Sequence, residues 1–258
     1  KRSMAYKNLF DKSTMLMRGR DSKGNWRTPF NSHEYVQGGD FTEGTSWQYT
    51  WYVPQDISGL IGLYGGNKGF LQKLDSLFTF TDNSSANMDD VQGRLGEYWH
   101  GNEPSHHIIY LYDFAGQPWK AQELVHKVMK TQYGNKPNSL SGNDDCGQMS
   151  AWYLFNAMGF YPVCPGSNYY AFGSPALKKV VISLTGNKSF SISAENLTEQ
   201  NIYIQKVTLN GKAWNSPYFS YDELKNGGEL LFTMGPKPNK KWGTQVNLTE
   251  LNALNGQK

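Results

Sequence analysis

An α+β fold with helices and strands segregated along the chain is predicted for these 258 residues, and three observations carry the prediction. Up to about residue 160 the apolar residues recur with a helical period. After Phe160 the period changes to two. Turn-forming pairs and triplets then cut the second part into short strands. A run of helices followed by a run of strands implies segregated layers or two domains. The boundary is expected between residues 160 and 178, giving a helical portion over 1–165 and a β-rich portion over 166–258.

The helical stretches, in order, are MAYKNLF (4–10), WQYTWYV (47–53), DISGLIGLY (56–64), NKGFLQKLDSLFTF (67–80), EPSHHIIYLYDFA (103–115), PWKAQELVHKVMKTQY (118–133) and CGQMSAWYLFNAMG (146–159). Pro104 and Pro118 sit where a first-turn proline is tolerated, and Asp56 and Asn67 are placed to cap. Helices joined by long Gly-rich loops suggest a toroid or a bundle. The strands are KKVVISL (178–184), SFSISA (189–194), NIYIQKVTLNG (201–211) and ELLFTM (229–234), separated by Thr185-Gly186-Asn187, Asn210-Gly211 and Asn226-Gly227-Gly228. They read as an antiparallel β module with a polar, frayed tail after Trp242.

Composition narrows the functions. The 25 Lys and Arg against 22 Asp and Glu leave a net charge of only +3, and no basic block interleaved with aromatics is present, so nucleic acid is not an expected partner. No apolar stretch reaches the roughly 18 residues of a membrane span, and the mean hydropathy is −0.62. Cys146 and Cys164 bracket a helix too long for a disulfide between its ends and lack the paired spacing of a zinc site, so both are expected to be free and buried. The opening KRSMAYKNLF reads as the interior of a longer protein. Aromatic residues make up 14% of the chain. That share suits either stacking on sugar rings or a large aromatic core.

Three loops concentrate acids. In GGDFTEGTSWQYTWYVPQD (38–56), Glu43 precedes Trp47, Tyr49 and Trp51. A carboxyl beside indole rings is poorly solvated when charged and suited to proton donation, whereas one in water would be an ordinary loop acid. In EYWHGNEPSHHIIYLY (97–112), Asn102 and Glu103 offer the oxygen donors that Ca²⁺ and sugar hydroxyls accept. Glu103 serves equally as a first-turn acid, and His106 and His107 equally as packed core residues. In SGNDDCGQMSAWYLFNAMGF (141–160), one of Asp144 and Asp145 suffices to cap the helix, leaving the other to orient a water or hold a cation. An acid and a base separated by room for a water are the equipment of an inverting glycosidase.

The stretches EGTSWQYTWYVPQDISGL, HGNEPSHHIIYLY, GQPWKAQ and GNDDCGQMSAWYLFNAMGFYPVCPGS, with MRGRDSKGNWRTPF (17–30) ahead of them, resemble the C-terminal part of glycoside hydrolase family 92, the calcium-dependent exo-α-mannosidases, often described as α-1,2-mannosidases. The resemblance implies the C-terminal half of an (α/α)6 toroid followed by the β module, hydrolysis of terminal α-mannose with inversion, and Ca²⁺ as cofactor. It further implies Glu43 as general acid, Asp145 as general base assisted by Asp144, Asn102 and Glu103 at the metal, and Trp47, His100 and Glu103 at the sugar. Some relatives carry an acid where this chain has Asn143. The substrate implied is a mannose-containing oligosaccharide. An N-terminal β-sandwich and the remaining toroid helices would come from the same protein or from a partner chain. A secreted, periplasmic or cell-surface bacterial location follows from the same resemblance. The competing readings are another six-hairpin glycosidase, acting on glucosides, and a Ca²⁺-dependent glycan-binding module without turnover.

Overall fold

The computed structural model describes residues 2–35, 39–80 and 92–247. The chain forms two compact units, Lys1–Ile108 with Asn135–Met149, and Ile109–Gly134 with Ser150–Lys258. Of the polar tail after Trp242, residues 248–258 lie outside the described residues.

The first unit begins with a 3-10 helix, Arg2–Asn8, and a hairpin of β1 (Phe10–Asp11) and β2 (Leu16–Met17). Helix α1 (Ser46–Tyr49) is fastened by a capping box between Thr45 and Gln48, with the Thr45 amide 2.7 Å from Gln48 Oε1. It is shorter than the expected 47–53, and Pro54 bars only Val53 from the helical region. A 3-10 turn, Pro54–Asp56, leads into α2 (Ile57–Leu63), where Asp56 accepts from the Gly59 amide at 3.0 Å as expected of a cap. In α3 (Asn67–Thr79), Phe70, Leu74 and Leu77 are fully buried at the spacing of one helix face. Its N-cap is Gly66, at φ 108°, rather than the expected Asn67.

A second hairpin, β3 (Arg94–Leu95) and β4 (Tyr98–Trp99), precedes the third correction. The continuous helix expected over 103–115 is three pieces, a 3-10 turn at Glu103–Ser105, another at Ile108–Tyr110, and α4 (Leu111–Phe114). The break falls at His106 and His107, whose rings bond backbone carbonyls elsewhere in the unit. Trp51, stacked on Tyr64 at 5.7 Å and edge-on to Phe70 at 5.5 Å, anchors the core of this unit.

In the second unit, α5 (Pro118–Thr131) has the expected extent and buries Ala121, Val125 and Val128. Helix α6 (Gln148–Met158) likewise matches its sequence pattern. Strands β5 (Phe160–Tyr161) and β6 (Tyr169–Phe172) pair antiparallel. Next come β7 (Lys179–Leu184), β8 (Lys188–Glu195), β9 (Tyr203–Leu209), β10 (Lys212–Ala213), β11 (Tyr218–Ser220), α7 (Tyr221–Lys225) and β12 (Gly228–Gly235). β11 joins β6 in a three-stranded sheet, and the others form a five-stranded sheet ordered β10-β9-β12-β8-β7. Asn187 and Asn210 take the positive φ that the tight hairpin turns require.

The module is not purely antiparallel: β12 pairs antiparallel with β9 but runs parallel to β8, Gly228 opposite Phe190 and Leu230 opposite Ile192. Alternation in a sequence sets which face a side chain takes and is silent on strand direction. The chain between β10 and β12 passes through β11 and α7, long enough to bring β12 back in either sense. Phe172, Phe190, Phe219 and Phe232 fill the core, with Phe172 and Phe219 stacked at 5.2 Å. Gln122 of α5 is buried and accepts from the Ile204 amide of β9 at 2.9 Å. Much of the aromatic surplus is therefore core rather than sugar platform. Among the described residues no helix is long and apolar enough to cross a membrane. Both cysteines are free, as expected, but neither is buried: Cys164 is half-buried, and Cys146 is exposed because the turn before α6 carries it to the surface.

Candidate active site

All three acidic loops belong to the first unit, and two of them meet edge to edge. Gly101 and Gly142 press their backbones together: a Cβ on Gly142, at φ 92°, would lie 2.8 Å from the Gly101 carbonyl, and one on Gly101 would lie 2.7 Å from the Ser141 carbonyl. Only glycine permits this approach. Gln92 pins both partners, accepting from the Gly142 amide through its side chain at 2.8 Å and from the Gly101 amide through its backbone at 3.2 Å. The third loop is tied in by Asn102, whose Nδ2 donates to the Glu43 carbonyl at 2.6 Å.

The junction leaves a cleft of about 130 Å³ lined by Glu43, Gln92, Asn102, Asn143 and Asp145 together with the two glycines. Glu43 and Asp145 thus face one space from loops a hundred residues apart. Each is held in the left-handed backbone region, at φ 53° and 47°, and Cys146 follows at 58°. Non-glycine residues adopt that region at a cost of about 1–2 kcal/mol, and such outliers concentrate at working sites. The turn beneath Asp145 is closed by the Asp144 carbonyl, which accepts from the amides of Gly147 (3.2 Å) and Met149 (3.3 Å). The two aspartates therefore stand one turn ahead of α6 instead of opening it.

Burial pushes the Glu103 carboxyl above its ordinary range, and the charges of Asp145 and Glu43 push it further. The cleft's side chains are carboxylates and carboxamides, without thiol or imidazole, and that hard-oxygen donor set fits a calcium ion. Among the described residues, however, no group of three or more His, Cys, Asp or Glu side chains is arranged to hold a metal.

The remaining sequence candidates lie away from the cleft. Trp47 is buried, stacked on Phe80 at 5.7 Å, donating to His33 Nε2 at 3.1 Å and covered by Lys73 Nζ at 4.2 Å. His100 is fully buried, 2.8 Å from the Tyr98 hydroxyl and 5.0 Å from the His106 ring. Burial holds its imidazole well below the usual value. His106 donates to the His100 carbonyl at 2.9 Å, and its Nδ1 accepts from Gln148 at 3.3 Å. Asp144 is half-buried and does not line the cleft. The ring that does sense Glu43 is Tyr49, whose phenol is raised by burial and then by the Glu43 charge. Sequence reasoning missed Gln92 and the glycine contact. One signal could have found the glycines: both loops read Gly-Asn-acid, Gly101-Asn102-Glu103 and Gly142-Asn143-Asp144.

Comparison with known proteins bears on this arrangement. Residues 1–236 match the model of the glycosyl hydrolase family 92 catalytic domain. A structure described as a family GH92 alpha-mannosidase from Bacteroides thetaiotaomicron is 46% identical with a TM-score of 0.86, over 95% of this chain and 31% of that one. A family GH92 inverting mannosidase from the same organism is 43% identical with a TM-score of 0.84, over 94% of this chain and 34% of that one. An uncharacterized secreted glycosidase of Arthroderma benhamiae is 32% identical over 221 residues, 84% of this chain and 26% of that protein. The chain spans about a third of the length of these relatives or less.

Proposed function

This chain belongs to glycosyl hydrolase family 92, and we propose on that premise that it supplies the acid and base of an exo-acting, inverting α-mannosidase. The observation that carries the reading is the shared cleft: Glu43 and Asp145, both in left-handed backbone conformations, line one space. The relatives described as an alpha-mannosidase and as an inverting mannosidase support the sugar and the stereochemistry. Glu43 donates a proton to the departing oxygen, and Asp145 takes one from a water on the opposite face of the ring. Asp144 closes the turn that aims Asp145. His100, whose carbonyl accepts from His106, and Trp47 lie outside the cleft and would serve the sugar only as buried supports of the loops that line it.

Asn102 and Glu103 would hold calcium, which when bound engages the hydroxyls of the mannose. The toroid portion over 1–165, the β-rich portion over 166–258, and completion of the toroid and sandwich by further sequence or a partner chain are parts of the same proposal. So is a location outside the cytoplasm, supported by the relative described as secreted.

The test is a pair of variants in the full-length protein. Glu43→Gln and Asp145→Asn should each lower kcat by roughly a hundredfold or more. 2,4-Dinitrophenyl α-mannoside needs little protonic help, so it should rescue Glu43→Gln and leave Asp145→Asn slow. The first product seen by NMR should be β-mannose. Appearance of α-mannose first, or equal rescue of both variants, would overturn the assignment.

A further inference from the structure

Glu97 lies in the turn between β3 and β4, and the chemistry above leaves it unused. Its side chain is only 1% exposed and does not line the cleft of Glu43 and Asp145. A carboxyl group buried that deeply is costly unless partners compensate it, and those partners are specific here. We propose that Glu97, acting with His33, is the positioning pair that aims the acid Glu43; the proposal rests on the reading of Glu43 as general acid.

Backbone and side chain of Glu97 both reach α1, the helix that Glu43 precedes. Through the backbone, the buried Gln48 donates from Nε2 to the Glu97 carbonyl at 2.6 Å. Gln48 Oε1 accepts in turn from the Thr45 amide at 2.7 Å and the Thr45 hydroxyl at 2.9 Å, so this grip ends two residues after the acid. Through the side chain, Glu97 Oε2 faces His33 Nδ1 at 3.7 Å, while Arg94 donates to Oε1 at 3.0 Å. His33 Nε2 accepts from Trp47 Nε1 at 3.1 Å. An indole N–H can only donate, so the proton of a neutral His33 ring belongs on Nδ1, the nitrogen turned towards Glu97. The imidazole is thereby given a direction, from the carboxylate to the helix. Phe80 covers this ring pair, stacked on His33 at 5.0 Å and on Trp47 at 5.7 Å.

The turn that carries Glu97 is itself fixed. The Glu97 amide donates to the Leu77 carbonyl of α3 at 2.7 Å, and a Cβ on Gly96, at φ 63°, would fall 2.5 Å from the same carbonyl. Past β4 the chain reaches Asn102, whose side chain donates to the Glu43 carbonyl at 2.6 Å. Glu43 is therefore bounded by α1 after it and by Asn102 across from it, and both supports lead back to the Glu97 turn. A left-handed residue such as Glu43, at φ 53°, persists only where its surroundings over-determine it. Loss of the hold on α1 lets the acid relax, and a misplacement of about 1 Å is enough to cost a reacting group about a hundredfold.

Two leaving groups separate aim from general loosening in the full-length protein. Turnover of the α-linked mannobiose it cleaves best depends on the proton from Glu43, whereas turnover of 2,4-dinitrophenyl α-mannoside hardly does. His33→Phe keeps the stacked ring and removes both nitrogens; Glu97→Gln keeps the shape and removes the charge. Each should lower the ratio of kcat for mannobiose to kcat for the dinitrophenyl mannoside by about tenfold or more, with KM for mannobiose little changed. A residue that only holds the fold would depress both substrates alike and leave the ratio where it was. His33→Phe carries the test if the buried Glu97 variant does not fold. Glu43→Gln is the reference. If it shows the fall in ratio while the folded His33 and Glu97 variants stay within about twofold of wild type, the positioning role is overturned and the mannosidase reading stands. If Glu43→Gln itself stays within that range, the acid assignment fails and the positioning pair fails with it.

Discussion

At the scale of single residues, the site depends on backbone geometry as much as on its carboxylates. Gly142 combines a positive φ with a neighbour that leaves no room for a Cβ. Gly142→Ala should destabilise the protein by about 1–3 kcal/mol, because strain and the clash with the Gly101 carbonyl act together. Chemical denaturation measures the first effect. A loss of activity larger than the lost stability explains, measured well below the melting temperature, would show the displaced Asp145 loop. Gly147 also has a positive φ, but a Cβ there meets nothing within 4 Å. Gly147→Ala should therefore cost less, and equal losses in the two variants would rule out the clash as the cause.

The scale of elements brings in the buried polar groups that short helices and turns carry. His107 sits between two 3-10 turns, buried, with Nε2 donating to the Trp51 carbonyl at 2.7 Å. Burial pulls its imidazole down to about 4. The unfolded chain takes up a proton near 6.5 that the folded chain refuses until about pH 4. The contribution is therefore complete above 6.5 and is lost as pH falls towards 4, with a slope of about 1.4 kcal/mol per pH unit for one proton. His107→Gln keeps a donor for Trp51 and removes the titration. Its stability relative to wild type should rise as pH drops through that window, and a pH-independent difference would contradict the account.

Asp113 in α4 behaves oppositely. It is fully buried, neither carboxylate oxygen has a hydrogen-bond partner among the described residues, and burial drives its carboxyl well above 3.8. The folded chain keeps a proton that the unfolded chain releases, so stability declines as pH rises above the ordinary carboxyl range. Asp113→Asn has no charge to bury. It should melt higher than wild type at pH 8 and close to wild type at pH 4, and calorimetry at the two pH values decides.

Across the whole molecule, the proposed metal links loops that no single element controls. Asn102 and Glu103 follow the β3–β4 hairpin, Glu43 precedes α1, and Asp145 precedes α6. If calcium engages both the sugar and these loops, EDTA should abolish activity of the full-length protein and Ca²⁺ should restore it. Ca²⁺ should also raise the melting temperature in proportion to the logarithm of its concentration above Kd, independently of substrate. Full activity after rigorous chelation would remove the ion from the mechanism.

What the sequence by itself determined is local or carried by long matched stretches. The extents of α3, α5 and α6, the Asp56 cap, the four longer strands and the family were legible, because periodicity, capping and motif order are written in neighbouring residues. The acids that line the cleft could be nominated because loop carboxylates beside glycines stand out in a chain. Only the tertiary structure decided that Trp47 turns into the core while Tyr49 senses Glu43, that Gly101 meets Gly142 under the hold of Gln92, and that β12 runs parallel to β8. Apart from Tyr49 and Glu43, which share one loop, these facts concern pairs tens of residues apart. A local pattern states which face of an element avoids water, and the partner that covers this face is chosen by packing the whole unit.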